Sequence, residues 1–263
     1  MYIWDQGINY LLARGLKPLD VEVDCLHRAE FDPFGMTPAM WKRTYPYGRW
    51  ESHAYGLHVL LKAIENYDLI HVHSFDKCVP TLAYLRKPIL LHYHGSDIRG
   101  RWDDKKGKWK HANRIVVSTP DLLKGAPKDA EYLPNPIDIE VFRDLGGPRI
   151  SKALHFNYDA VDLAEHVAAE NGVQLTVMNK GIPYTDMPRI LNAYRYYVDV
   201  KRDHSDRVLI SRATDTGSLV GLQALACGCT VLRLDGVHKG LPVEHEPGNV
   251  AKKLYRIYKE MLK

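Results

Sequence analysis

The chain has 263 residues, of which 45% are hydrophobic and 26% charged, as is typical of a soluble globular protein. No run approaches the ~20 apolar residues of a membrane span, and the amino terminus lacks the basic start and apolar core of a secretory signal. The net charge of +4 without an arginine-rich arm argues against nucleic acid and fits small anionic ligands or a membrane surface. We therefore expect a cytoplasmic protein, peripheral to the membrane at most, with its cysteines as free thiols.

Short β-rich runs alternate with helical patterns through the first half of the chain. Several runs are apolar on both faces, as buried strands of a parallel sheet are. The predicted strands cover residues 21–26, 68–74, 88–94, 114–119 and 130–134, and the predicted helices cover residues 52–65, 79–85 and a short turn from residue 120. This alternation predicts a doubly wound α/β sheet.

The same alternation begins again near residue 152 and predicts a second, smaller α/β domain. Its predicted strands cover residues 152–156, 174–178, 196–200 and 230–234, and its predicted helices cover residues 160–170, 187–194 and 217–226. The glycine-containing segment Arg143–Arg149 is the predicted linker. We expect an N-terminal domain over residues 1–145, a C-terminal domain over residues 146–247 and a C-terminal helix over residues 248–263.

The C-terminal helix is predicted to be amphipathic. Its apolar face carries Val250, Leu254, Ile257, Tyr258 and Met261, and lysines and arginines lie around the other face. This pattern is typical of a helix docked on the protein surface, and attachment to a membrane surface is the alternative.

Histidine pairs end two of the predicted strands, His71 with His73 and His92 with His94. Side chains two residues apart on a strand point to the same face, and open α/β sheets bind ligands at strand carboxyl ends. Together with Asp97, the pairs supply the ligand types of a zinc site, as in metal-dependent hydrolases. Alternatively, the histidines line a polar cleft or are satisfied within the core.

The residues after the second histidine pair have two interpretations each. Gly95 permits a sharp turn, and Asp97 is a candidate either for capping the next turn or for substrate contact. The charge run over residues 99–110 is typical of a solvated loop. Its indole rings, Trp102 and Trp109, favour a second interpretation, in which they stack on a sugar or lie among lipid headgroups.

Capping residues mark the start of the predicted helix over residues 217–226. They are Thr214, Thr216 and Ser218, and Gly217 among them permits close backbone approach. A helix N-terminus presents free N–H groups and partial positive charge, so this segment is a candidate diphosphate site. The alternative is an ordinary capped helix.

Three motifs, His92–Arg99, Leu133–Asp138 and Gly221–Gly228, resemble in order and spacing those of GT-B glycosyltransferases, specifically the retaining family four. The resemblance implies two Rossmann-like doubly wound domains facing across a cleft. It implies transfer of a sugar, with retention, from a nucleotide-sugar donor on the second domain to an acceptor on the first, without a metal or other cofactor. The acceptor would be a glycan, a lipid or a small molecule, and the last helix would pack back on the first domain.

The resemblance also assigns roles on the acceptor side. It implies that His94 contacts the acceptor and the transferred sugar, and we treat it as a catalytic candidate. The other acceptor-side candidates are His73, Gly95, Asp97 and Arg99.

On the donor side the chain departs from the family. Two glutamates that contact the donor sugar and the ribose in the family are replaced by Asp215, which keeps a carboxylate and is the second catalytic candidate, and by Gln223, which bonds hydroxyls without charge. The family's cationic pair for the diphosphate has no evident counterpart. Its candidate replacements are Lys180, Lys201, Arg202 and Arg212.

Three alternatives therefore stay open beside transfer. The first is a degenerate, non-catalytic GT-B protein that binds nucleotide-sugars, because of the replaced glutamates and because the first strand is expected to be missing, with Met1–Trp4 as its candidate remnant. The second is the hydrolase with a metal on the histidine pairs. The third is an epimerase acting on a nucleotide-sugar.

Overall fold

The structure is a computed structural model that describes residues 2–3, 8–27, 44–46, 66–157, 160–179, 181–201 and 217–263. The chain forms two compact units, residues 1–136 with 247–263, and residues 137–246. The second unit begins before the predicted boundary at residue 146, because Ile137 and Phe142 are buried in its core. The predicted linker therefore lies inside this unit, where Arg149 donates a hydrogen bond to the carbonyl of Cys227.

The described strands of the first unit form one sheet in the order β3-β2-β1-β4-β5-β6-β7. Every described pair in it is parallel, as the alternating pattern predicts. The strands are β1 (Tyr2–Ile3), β2 (Cys25–His27), β3 (Thr44–Pro46), β4 (Ile70–His73), β5 (Ile89–Tyr93), β6 (Arg114–Val117) and β7 (Glu131–Tyr132).

Two expectations about the start of the chain are corrected. The first strand is present, since β1 pairs with β2 on one side and β4 on the other; two residues are too short to give an alternating pattern. The strand predicted over residues 21–26 begins only at Cys25, while Val21 and Val23 pack on the core in an irregular segment. The helix predicted over residues 52–65 lies outside the described residues.

The second unit contains a sheet in the order β12-β11-β10-β8-β9. Its described pairs are parallel except β11 with β12, which form an antiparallel hairpin. The strands are β8 (Ile150–Phe156), β9 (Leu175–Met178), β10 (Tyr194–Val198), β11 (Thr230–Arg233) and β12 (Gly236–His238).

Most helices lie where the periodic segments predict them, whereas the helix Lys106–Trp109 lies in the charge run that was predicted to be a loop. The helices are α1 (Ile8–Leu16), α2 (Val79–Leu82), α3 (Lys106–Trp109), α4 (Val161–Glu170), α5 (Met187–Ala193), α6 (Leu219–Ala226) and α7 (Pro247–Met261). In the second unit, α4 packs on one face of the sheet, and α5 and α6 pack on the other. No helix within the described part of the chain is long and apolar enough to cross a membrane.

Strand β5 is buried on both faces and so separates two cores of the first unit. Ile89, Leu91 and Tyr93 point into one core, where α2 covers them. Leu90 points into the other core, which α1 and α7 cover, and His92 shares its face because strand side chains alternate.

The second of these cores depends on close contact between α1 and α7. The apolar face predicted for the C-terminal helix is buried there, including Leu254, Ile257 and Tyr258. At the crossing, a Cβ at Gly15 would lie 2.8 Å from the Cβ of Ala251 and 3.0 Å from the Pro247 carbonyl oxygen. Only glycine lets the two helices approach this closely.

Candidate functional site

The candidate residues of the first unit lie at the carboxyl ends of the neighbouring parallel strands β4 and β5. His73 is opposite His92 in the strand register, with His71 two residues before the one and His94 two residues after the other. All four side chains share one face of the sheet. We call these four residues the histidine array.

The rings of the array lie close together along each strand, stacked for His71 with His73 and tilted for His92 with His94. Ring centroids are 4.1 Å apart for His71 and His73 and 4.0 Å apart for His92 and His94. Across the strands, Nδ1 of His73 and Nε2 of His94 share a hydrogen bond of 2.9 Å. Nδ1 of His71 shares one of 2.7 Å with the hydroxyl of Tyr258 on α7. Three members are fully buried and His94 is half-buried, so the array runs from the core to the sheet edge.

Burial keeps the array neutral. It lowers the pKa of the three inner members well below the usual range, and their histidine neighbours lower it further. Burial lowers the pKa of His94 to about 4, although the charge of Asp97 and hydrogen bonding by Asn135 act in the other direction. At neutral pH His94 is therefore an uncharged imidazole and a poor base for a sugar hydroxyl.

The geometry of the array does not favour the metal-hydrolase alternative. His71, His73 and His92 bring ring nitrogens within 4.8 Å of one another, close enough to suggest a shared ion. A metal lies along the lone pair of each imidazole, within the ring plane, so ligand planes must converge on it. The planes of His71 and His73 are instead stacked, 28° apart, so their lone pairs run side by side.

Asp97 holds the turn that follows β5. Its carboxylate accepts hydrogen bonds from the Gly95 N–H at 2.6 Å, the His94 N–H at 3.0 Å and the Ser74 hydroxyl at 2.6 Å. Ser74 has a φ of 57°, a left-handed conformation that costs a non-glycine residue roughly 1–2 kcal/mol. The turn therefore fixes the backbone of His94, and substrate contact by Asp97 stays a prediction.

Arg99 places a cation beside this turn. Its Nε donates to the Asp121 carboxylate at 2.8 Å, and its Nη1 lies 4.0 Å from the position of a Cβ on Gly95. Both members of the pair are partly exposed, so part of the guanidinium is accessible at the sheet edge.

The following loop packs its two indole rings and one lysine on the core but exposes most of its charged side chains. Trp102 is buried and donates its indole N–H to the Leu122 carbonyl at 2.9 Å, and Trp109 donates to the Trp102 carbonyl at 2.7 Å. Lys105, within the charge run, forms a buried ion pair of 2.7 Å with Asp76. The prediction of free indoles for sugar or lipid is wrong here, because both rings pack on the core of the first unit. The prediction of a solvated run holds for most of its charged residues, which are exposed: Arg101, Asp103, Asp104, Lys106 and Lys110.

The donor-side candidates of the second unit are described only in part. Lys201, Gly217, Ser218 and Gln223 are described; Lys201 is exposed and Gln223 is buried within α6. The other candidates lie outside the described residues: Lys180, Arg202, Arg212, Thr214, Asp215 and Thr216.

At the start of α6, the backbone binds a carboxylate of the protein itself, that of Asp199. Ser218 is the N-cap residue, and its hydroxyl accepts the Gly221 N–H at 3.0 Å. The Ser218 N–H donates to the carboxylate of Asp199, which follows β10, at 2.8 Å. A Cβ at Gly221 would collide with this carboxylate. The position is therefore shaped for a negatively charged oxygen.

Arg233, at the end of β11, brings a cation to the same place. A Cβ at Gly217 would lie 2.9 Å from Nη1 of Arg233 and 3.0 Å from Oδ2 of Asp199. The guanidinium also contacts Asp235 at 2.9 Å and Nδ1 of His238 at 3.3 Å, which fix its orientation. A guanidinium beside a helix N-terminus suits a phosphate group.

Sequence reasoning missed Asp199 and Arg233, although a signal for both exists. Each lies at the carboxyl end of a predicted strand, where ligand-binding residues of α/β sheets collect. It also missed the hydroxyl of Tyr258, because this residue was counted only as part of the apolar face of α7. The thiols of Cys227 and Cys229 are free, and burial raises their pKa to about 12 and about 11, so they stay protonated.

No protein-family model and no curated protein matches the sequence. Among solved structures, the chain is similar to HepE from Anabaena, determined in complex with UDP-glucose, with 11% identity, a TM-score of 0.57 and coverage of 99% of this chain and 91% of that one. It is also similar to the spinosyn rhamnosyltransferase SpnG (13% identity, TM-score 0.51, covering 100% and 92%) and to SpnG complexed with thymidine diphosphate (12%, 0.51, 99% and 92%). With two doubly wound sheets, these likenesses show that the chain has the GT-B fold.

Proposed function

We propose that this protein is a glycosyltransferase that moves a sugar from a nucleotide-sugar donor to an acceptor, with retention of configuration and without a metal ion. The observation that carries the proposal is the anion site at the start of α6, on a chain with the GT-B fold, where the Ser218 amide and Arg233 lie together. UDP-glucose in HepE and thymidine diphosphate in SpnG support a donor of the nucleoside-diphosphate class.

The donor diphosphate is proposed to bind where Asp199 now bonds the Ser218 amide. The Asp199 carboxylate stands in for a phosphate oxygen there and gives way when the diphosphate enters. As the bond between the anomeric carbon and the diphosphate oxygen breaks, the sugar gains oxocarbenium character and the diphosphate gains charge. The α6 amides and Arg233 stabilise that charge. By the family resemblance, Asp215 contacts the sugar and Gln223 the ribose.

The acceptor hydroxyl forms the new bond to the anomeric carbon, and its proton passes to the departing diphosphate. His94 is not proposed as the base, because a pKa of about 4 makes its neutral ring too weak a base for the acceptor proton. By the family resemblance, it contacts the sugar or the acceptor. Arg99 lies beside the same turn and suits an acceptor with negative charge.

A thermal-shift titration tests the donor site. The ligands are UDP, GDP, ADP, dTDP and their common sugar conjugates, each with and without EDTA. Ligand at ~100 times its dissociation constant stabilises by roughly 2.7 kcal/mol. We expect a shift with one nucleotide class that EDTA leaves unchanged, that Arg233→Gln weakens, and that the exposed control Arg195→Gln retains. A shift that needs a divalent metal would contradict the proposed site. So would a shift that Arg233→Gln leaves as large as Arg195→Gln does.

A non-catalytic nucleotide-sugar-binding protein is the second candidate. It is favoured by Gln223, which replaces a glutamate of the family, and by the Asp199 carboxylate on the Ser218 amide. Nucleotide-sugar binding without hydrolysis or transfer would support this candidate. Turnover by the Gln223→Glu variant would argue against it.

The acceptor and the place of action stay predictions. We propose that the protein works in the cytoplasm on a glycan, a lipid or a small molecule. The exposed Arg256 and its basic neighbours on α7 support contact with anionic membranes, although Arg256 also lies 3.6 Å from Glu131. Co-sedimentation with phosphatidylserine vesicles, compared with neutral vesicles, tests this contact.

A further inference from the structure

The hairpin of β11 and β12 returns the chain to the side of Arg233. Arg233 pairs with Gly236 across the hairpin, so the loop between them has two residues, the second of which is Asp235. In the same register His238 is opposite Val231, which is buried in the core that α6 covers. Since side chains alternate along a strand, Arg233 and His238 lie on that face as diagonal neighbours. The hairpin therefore brings an imidazole and a carboxylate to the guanidinium.

Arg233, Asp235 and His238 form a closed set of hydrogen bonds, which we call the hairpin triad. Nη2 of Arg233 donates to Oδ2 of Asp235 at 2.9 Å and to Nδ1 of His238 at 3.3 Å. Nε2 of His238 lies 3.1 Å from Oδ1 of Asp235. A guanidinium only donates and an ionised carboxylate only accepts, so Nδ1 of the ring carries the lone pair and Nε2 carries the proton. Each side chain is thus bonded to the other two, and the ring is neutral.

The hairpin triad determines where the other end of the guanidinium points. A guanidinium is planar, with its donors in a fixed fork. Two acceptors at Nη2 set both the position and the rotation of this plane, whereas a single acceptor would let the plane turn about that one bond. Nη1 is then the nitrogen beside the start of α6, 2.9 Å from the position of a Cβ on Gly217. The contact between His238 and Arg233 therefore bears on the proposed phosphate site, although His238 lies on the neighbouring strand.

We propose that His238 is a positioning residue of the donor site, which holds Arg233 in the orientation that meets the donor diphosphate. The inference rests on the proposed function for the identity of the ligand, but not for the orientation of the guanidinium. A fixed guanidinium binds phosphate more tightly than a mobile one, because it loses less conformational freedom on binding. The neutral ring supplies this constraint without adding a charge, whereas a second carboxylate in its place would compete with the phosphate for Arg233.

The first test measures how fast the Arg233 guanidinium rotates, by NMR of protein labelled with ¹³C,¹⁵N-arginine. The Arg233 signals are assigned by their loss in Arg233→Gln. We expect hindered rotation in the wild type and in His238→Asn, whose carboxamide oxygen takes the place of Nδ1. In His238→Phe the hydrogen bond is lost, so rotation should be faster by about tenfold or more. Rotation that is equally fast in the wild type and in His238→Phe would overturn the inference.

The second test is titration calorimetry with the nucleotide found by thermal shift, starting with UDP and dTDP. We expect His238→Phe to raise the dissociation constant by about tenfold, and His238→Asn to stay within about threefold of the wild type. His166→Phe is the matched control, since His166 on α4 is also an exposed histidine beside a carboxylate, that of Glu170 at 3.2 Å. The side chain of His238 is 34% exposed, so we expect the variants to fold, and melting temperatures check this. An affinity unchanged in His238→Phe, or equally reduced in the control, would overturn the positioning role.

A double-mutant cycle decides whether His238 acts through Arg233. In the Arg233→Gln background, His238→Phe should change the dissociation constant by less than about twofold, because the guanidinium that it holds is gone. An effect as large as in the wild-type background would mean that His238 contacts the ligand itself, and would overturn the inference. If no nucleotide binds the wild type, the proposed function fails, while the arginine signals still decide the role of His238.

Discussion

The carboxyl edge of the first sheet and that of the second sheet carry different kinds of polar group. In the first unit, buried imidazoles lie close to one another, His73 is hydrogen-bonded to His94, and of the four only His94 reaches the edge. In the second unit, a carboxylate and a guanidinium from adjacent strands flank a helix N-terminus. The first arrangement is uncharged and held together by ring packing and the His73–His94 bond, whereas the second handles charge. This division suits a reaction in which charge develops on the donor diphosphate while the acceptor only needs to be oriented.

The largest expected effect is a dependence of folding stability on pH, which comes from the histidine array of the first unit. The pKa values of the array are lowered by burial, so below the ordinary histidine pKa near 6.5 the unfolded chain binds protons that the folded chain does not. Stability is therefore expected to fall as pH falls from about 6.5, by up to about 1.4 kcal/mol per pH unit for each buried histidine, until His94 itself titrates near its pKa of about 4.

Urea unfolding at pH 7.5, 6.5 and 5.5 measures this slope. His71→Phe should reduce it by about one proton, and the exposed control His166→Gln should leave it unchanged. An unfolding free energy that stays flat through this range would show that the array is not held neutral.

Gly221→Ala tests the charged edge of the second unit. The added methyl group collides with Asp199 and displaces the carboxylate from the Ser218 amide, so we expect a loss of about 1–3 kcal/mol. Gly107→Ala is the matched control, because it lies in a helix with open space around it and should be neutral or slightly stabilising. Chemical unfolding of both variants measures the difference. Equal stability would mean that Asp199 is not held against α6.

Two substitutions of Ser74 separate bonding from strain at the histidine edge. Ser74→Ala removes the hydroxyl that donates to Asp97 and should cost about 1.5–3 kcal/mol. Ser74→Gly removes the same bond but relieves the positive φ, so it should cost about 1 kcal/mol less. Unfolding free energies of the two variants give the strain directly. A glycine variant less stable than the alanine variant would contradict the strained conformation.

The smallest expected effect concerns the cap of α6. Ser218→Ala removes the acceptor of the Gly221 N–H and should cost about 1 kcal/mol, whereas Ser218→Thr keeps the hydroxyl and should cost less. Thermal unfolding with and without the nucleotide found above measures both effects. If the nucleotide stabilises Ser218→Ala less than it stabilises the wild type, the ligand contacts the same helix start.

The sequence predicted the fold well where strands are long and apolar, and poorly where they are short. Strands β4, β5 and β6 lie within their predicted ranges because apolar runs bounded by turn residues leave little choice. Strand β1 has two residues and no readable period. The first part of the second unit was assigned to the preceding domain because glycines mark a flexible segment, but the burial of Ile137 and Phe142 decides the boundary.

The candidate site was predictable in its location but not in its chemistry. Two pairs of histidines on neighbouring parallel strands must meet at one edge, and they do. Stacking or metal coordination depends on ring rotation, which no spacing in the sequence specifies. On the donor side, the search for a family-like cationic pair led to Lys180 and Arg212. Arg233 became evident only through its contact with the start of α6.

The packing of α7 on α1 has a consequence for synthesis on the ribosome. Residues 247–263 emerge after all of residues 137–246, yet they complete the core of the first unit. A nascent chain therefore exposes Leu12 and Leu90 until the second unit has been made, and domains usually fold as units during synthesis. The second unit can fold before the first unit, although its residues come later in the chain than most of the first unit. The amino-terminal half would then be the part of the newborn chain that needs protection from aggregation.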